Sequence, residues 1–160
     1  MNTADIAKTL ATLLRELTEG ASKDGGYMLN AGDEGLLRSL EKVSAADASA
    51  LTATGSSIAA HVDHLRYGLS LMNRWSEGEN PFVSADWSQS WSRTAVSEAE
   101  WRQRIADLRA EASRWLAVVG QPRNVGEIEL NGMIGSIAHL AYHLGAIRQI
   151  ARSARGPVEG

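Results

Sequence analysis

Histidine is the side chain best suited to hold a transition metal or to move a proton near neutral pH, and this chain has four: His61, His64, His139 and His143. Cysteine is absent, which removes thiolate ligands, disulfides and a cysteine nucleophile together. The run His139-Leu-Ala-Tyr-His143 sets two imidazoles at i and i+4. On a helix they stack on one face, close enough to share a single ion. The same spacing also arises by chance in helices whose histidines are only core residues, so the neighbours have to be consulted.

At 100° per residue, Gly132, Gly135, Ser136, Ala146, Ile147 and Ile150 all fall within roughly 60° of the direction of His139 and His143. The pair therefore faces inward, among small residues that leave room for a cavity, while Arg148 and Arg152 point the other way. Buried imidazoles need partners for both ring nitrogens, and a metal supplies one. The earlier pair lies in Ser57-Ile-Ala-Ala-His61-Val-Asp-His64-Leu-Arg-Tyr67, a helical stretch whose polar wedge is Asp63, Arg66, Ser70, Asn73 and Arg74. The direction opposite that wedge passes between His61 and Gly68, with His64 about 50° away. Both histidines are on the buried side, and periodicity slightly prefers His61.

The elements that must position these groups are helical almost throughout. Ile6, Leu10, Leu13, Leu14 and Leu17 step by threes and fours until Gly20 and Gly25-Gly26 break the pattern. Leu36, Leu37, Leu40 and Val43 form a shorter stripe with Asp33 as its expected cap, and Ser44 with Asp47 starts a further turn. The histidine-bearing helix is expected from Ser56 or Ser57 to about Trp75. Residues 76–96 then form a long loop with two exposed-looking tryptophans, Trp87 and Trp91. Ser97 and Glu100 have capping-box spacing, and the next helix carries Trp101, Ile105, Leu108, Ala112, Trp115 and Val118 to a stop at Gly120 and Pro122. Val125–Leu130 alternates and reads as a short extended stretch, with the last helix from about Asn131 to Arg155. The expected fold is all-α: residues 1–160 as one four-helix-bundle domain with a long loop between its second and third long helices. Loops of that length in compact domains are more often lids or binding loops than spacers.

Composition narrows the function classes. No run of ~18 apolar residues is present, so no membrane span is expected. A net charge of -3 argues against nucleic acid as a partner. The N-terminus lacks the regions of a signal peptide, and with no cysteine a cytoplasmic location is the expectation.

Two elements resemble a known family. Ser57 to Leu65 is similar to the T-V-x-x-L-L-x-H-L element of the DinB/YfiT-like metalloenzyme superfamily. His139-Leu-Ala-Tyr-His143-Leu-Gly145-Ala-Ile147-Arg-Gln149-Ile150 is similar to its H-x-x-x-H-x-G element. The resemblance follows helix order along nearly the whole chain, including the tryptophan-bearing loop. It implies a three-histidine site for one divalent ion, with one ligand from the earlier helix and two from the later. Placing Ser57-Ile58 on the family's T-V puts the ligands at His64, His139 and His143. His61 is an extra histidine that the family pattern does not require. Some members of the family are thiol-dependent transferases, which implies a low-molecular-weight thiol or another small molecule as substrate. Homodimers are common among them, and five tryptophans offer interface material.

Three imidazoles leave an ion with open positions, the arrangement of a catalytic site. All-nitrogen ligation suits zinc, nickel or iron. Such a centre would serve a thiol-dependent S-transferase or a hydrolase, or on the alternative reading a non-catalytic small-ligand-binding or stress-response protein. A third reading leaves the histidines as hydrogen-bonded core residues without metal. No general base stands out. Asp63 lies on the polar wedge and reads as solvated surface, Tyr67 and Tyr142 are candidates to line a pocket, and Arg148 reads as a surface or interface residue.

Overall fold

Asn2 accepts a hydrogen bond from the Asp5 amide while the Asp5 carboxylate accepts from the Asn2 amide, so a reciprocal cap starts the first helix, α1 (Thr3–Glu19). This computed structural model describes residues 2–157. Five further α-helices follow: α2 (Gly35–Glu41), α3 (Ala45–Ser49), α4 (Ile58–Ser76), α5 (Glu98–Val119) and α6 (Glu127–Ile150). Short 3-10 turns lie at Pro81–Ser84, Gln89–Trp91 and Arg152–Ala154. No strand occurs among the described residues.

The four long helices close on one another. The α4 helix packs on α5 and α6, and α1 on the same two from the other side. Between them sits one apolar core, in which Leu14, Leu40, Ile58, Val62, Leu108 and Ile147 are wholly buried. Trp115 fills its centre and donates its indole N–H to Ser136 Oγ at 2.8 Å, so a large ring is buried without an orphaned donor.

Local chemistry sets most of the boundaries. Ser57 caps α4 by accepting from Ala60 N, and Ser97 with Glu100 forms the expected capping box on α5, which ends at Gly120. Ser44 caps α3 through Asp47 N. The cap of α2 is one residue later than expected, at Glu34, yet Asp33 Oδ1 still accepts from Gly35 N at 2.8 Å.

The expected extended stretch at 125–130 is not there. Gly126 is the extended N-cap, and Glu127 already begins α6. Glu127 and Glu129 suit the positive end of the helix dipole, and in so short a run alternation and a first helical turn look alike. At the other end α6 stops at Ile150, short of Arg155, because the chain turns back: Arg148 Nε donates to Ala154 O at 3.1 Å.

Two charged residues lie deeper than their helical direction suggested. Asp63 is buried rather than solvated, with Arg66 Nε at 3.1 Å from its Oδ1. Arg148, read as a surface or interface residue, is half-buried and meets the buried Asp33 carboxylate at 2.7 Å. Both pairs let a charge sit inside an otherwise apolar layer.

The long loop is tied to α4 and to α5. Its Asp86 amide donates to Tyr67 Oη at 2.9 Å, Thr94 O accepts from Ser57 Oγ at 2.7 Å, and Arg93 O accepts from Arg104 at 3.1 Å. The turn Gln89–Trp91 is thereby held against the histidine-bearing stretch of α4.

Candidate metal centre

The packing of α4 on α6 brings the two pairs of histidines together. His64 Nε2 lies 3.1 Å from His139 Nε2, and His139 Nε2 lies 2.9 Å from His143 Nε2. The ligand atoms of these three residues all fall within 4.8 Å of one another, a group close enough to hold a metal ion. Metal–nitrogen bonds of ~2.0–2.1 Å in a tetrahedron would set nitrogens about 3.3 Å apart. The His64–His139 and His139–His143 pairs need to open by only a few tenths of an ångström to meet that.

The other ring nitrogens say which way each imidazole is set. His64 Nδ1 is 2.8 Å from Ser90 Oγ, and the Ser90 hydroxyl gives its only proton to Trp87 O at 2.7 Å. Ser90 Oγ must then accept from His64 Nδ1–H, which leaves Nε2 as a bare lone pair aimed at the centre. His143 Nδ1 is 2.8 Å from His61 Nδ1. If His143 donates there, its Nε2 lone pair also faces the centre and His61 acts as acceptor. His61 thus stands behind a ligand, outside the triad. This is the outer support that metal-binding histidines commonly have.

The electrostatics suit neutral donors. Burial, followed by the nearby His139 and His61, lowers His64 to about 4. His143 is lowered to about 3, again by burial first and then by His139, His61 and His64. Burial also lowers His61 and His139. Near neutral pH the triad is uncharged, the state a metal requires. Without an ion, one N–H from His139 Nε2 is all that can serve the lone pairs of His64 and His143, and it can serve only one of them well. With the His139 proton on Nδ1 instead, a shared cation satisfies all three nitrogens. The donor set, nitrogen only with no thiolate or carboxylate, fits a divalent zinc, nickel or iron ion.

The loop closes this site from above. Trp91 stacks on His64 with ring centroids 4.5 Å apart and stands edge-on to His61 at 5.0 Å. Trp87 leans on His64 at 5.4 Å. These contacts desolvate the imidazoles and fix their planes. Tyr67 is a loop anchor, through its hydroxyl and an edge contact with Trp87. Tyr142 is exposed, with its ring edge-on to His143 at 5.0 Å.

On one side the centre opens into a cavity of about 510 Å³, whose wall includes His64 and His139. Gly135 lies on that wall, and a Cβ there would meet nothing within 4 Å. Gly132 lies on the same wall, and a Cβ there would also come 2.9 Å from Trp75, so its bareness serves packing as well. At Gly68 a Cβ would rest at ordinary contact distance, 3.6 Å from Trp87 and 3.7 Å from His139.

His64, His139 and His143 are thus brought together, whereas Asp63, Tyr142 and Arg148 lie outside the group. Sequence reasoning missed Ser90. Its only signal was its place between Trp87 and Trp91 in a loop too long for a plain connection. No family model matches the chain, and neither a curated protein nor a solved structure is found similar to it.

Proposed function

We propose that this protein is a divalent-metal-dependent enzyme on a DinB/YfiT-like four-helix bundle, with His64, His139 and His143 as ligands and a small-molecule substrate. The observation that carries the reading is the convergence of three neutral Nε2 atoms beside a cavity. A bound divalent ion would supply Lewis acidity, activating a water for hydrolysis or a low-molecular-weight thiol for S-transfer.

The chain's own residues have definable parts in this. Ser90 holds His64 by its Nδ1–H, and His61 holds His143 by its Nδ1. Trp87 and Trp91 keep bulk water off the rings. The cavity leaves one side of the group accessible to substrate. Metal analysis of protein from metal-replete medium tests the reading: about one ion per chain is expected, and none in His139→Ala. Wild-type protein purified without stoichiometric metal would overturn it.

One observation favours a non-catalytic ligand-binding role on the same scaffold. Among the described residues no carboxylate lines the cavity, and the nearest acidic residue in sequence, Asp63, is engaged by Arg66. Turnover in a screen pairing thiols with electrophiles, lost in His143→Ala, would discard that role. A homodimer belongs to the same proposal, with sedimentation velocity as its test.

A further inference from the structure

The wall of the cavity beside the triad is chemically one-sided. Leu65, Leu69 and Met72 come from α4, Leu140 from α6, and Phe82 and Trp87 from the loop. Among the described residues no Asp, Glu, Lys or Arg reaches it. Its single hydroxyl, on Ser136, is already committed: it accepts from Trp115 Nε1 and donates to Met133 O at 2.7 Å. The remaining polar groups among its side chains are the indole N–H of Trp87 and the rings of His64 and His139, which stand together where the cavity meets the centre. A ligand entering here finds nitrogen donors, or an ion held by them, at one place and only hydrocarbon and aromatic surface elsewhere. A charged or sugar-like body would lose its hydration with nothing offered in return. The volume is that of sites for drug-sized molecules.

We infer that the cavity takes an uncharged, apolar body, acyl or aryl, of a small molecule whose polar head sits at His64 and His139. This rests on the metal reading for the head alone; the apolar body is argued from the wall. It also divides the two partners of any S-transfer. The apolar reactant occupies this cavity, and a hydrophilic thiol has to approach from outside it.

The test uses straight-chain hydroxamic acids from two to eight carbons, whose head binds metals, titrated into metal-loaded protein. Tryptophan fluorescence is the readout, since Trp87 is in the cavity wall and Trp91 lies on His64. Burial of each added methylene should tighten binding about fourfold, or on the order of 10²-fold from butano- to octanohydroxamate. In Gly135→Leu, which places a side chain in open space on a helix and improves helix propensity, that gain should vanish while acetohydroxamate and the metal still bind. A second probe, uncharged N-phenyl-1-naphthylamine, should fluoresce in wild-type protein with or without metal and not in Gly135→Leu.

Affinity that stays flat with chain length while acetohydroxamate binds would overturn the inference and leave the metal centre standing. A protein that takes up no metal but still binds the naphthylamine would instead retire the metal reading and support the apolar cavity. Failure of the naphthylamine to bind wild-type protein would overturn the inference outright.

Discussion

Replacing His61 by leucine separates a supporting histidine from a ligand. Leucine is apolar and fills similar space, but it cannot accept the proton that His143 Nδ1 presents at 2.8 Å. In the metal-bound state His143 must keep that proton, because its Nε2 is committed to the ion, so a buried donor is left without a partner. Stranding such a donor costs about 1–3 kcal/mol. Affinity should fall on the order of 10- to 100-fold, the usual effect of losing an outer-shell partner, with the stoichiometry of one ion retained. In the metal-free state His143 is free to change tautomer and turn a lone pair toward the leucine, so thermal stability without metal should change far less than affinity. His61→Gln, which restores an acceptor, should recover most of the loss.

The assay is competition against a chromophoric chelator, with zinc and with nickel, beside a thermal melt of the chelated protein. Two results would refute the reasoning. Unchanged affinity would mean the contact does not hold His143. Loss of stoichiometric binding equal to that of His139→Ala would mean that His61 is itself a ligand.

Acidification should destabilise the metal-free protein. His143 and His64 are lowered from 6.5 to about 3 and about 4 in the folded state, so between those values the unfolded chain binds more protons. Stability is then full above 6.5 and falls as the pH drops toward 3 to 4, which urea titrations across that range would show; a flat profile would contradict the buried-neutral triad. Ser90→Ala removes the acceptor of His64 Nδ1–H and should weaken metal binding on the order of 10-fold or more, read by the same chelator competition, with the α-helical circular dichroism unchanged. Asp33→Ala leaves the Arg148 guanidinium largely buried and unpaired and should destabilise by about 3–5 kcal/mol in denaturant. Adding Arg148→Met should recover part of that, whereas additive losses would show that the pair is not what ties α6 to the loop before α2.

Residues close together in sequence were the ones that could be placed without the fold. The i,i+4 pair His139 and His143 shares a helical face wherever the helix goes, and the apolar stripes of α1, α4 and α5 report burial because a helix repeats every 3.6 residues. Caps at Ser44, Ser57 and Ser97 are local hydrogen bonds and were equally legible. Whether His61 or His64 joins the later pair was not, because both lie on the buried side of α4 and about 50° separates His64 from its centre.

Only the crossing of α4 on α6 decides that His64 Nε2 meets His139 while His61 stands behind His143. The same holds for Ser90, which reaches His64 from a loop without periodicity. Asp63 and Arg148 escaped for a related reason. Hydropathy assigns a charge to solvent: Asp63 has its partner three residues on in α4, yet only packing buries the pair, and Arg148 meets Asp33 from far along the chain. The sequence therefore determined the helices and the chemistry they carry, because both are set within a few residues of each other. Which of those groups face one another was left to tertiary packing, since helix rotation and crossing depend on contacts between residues far apart in the chain.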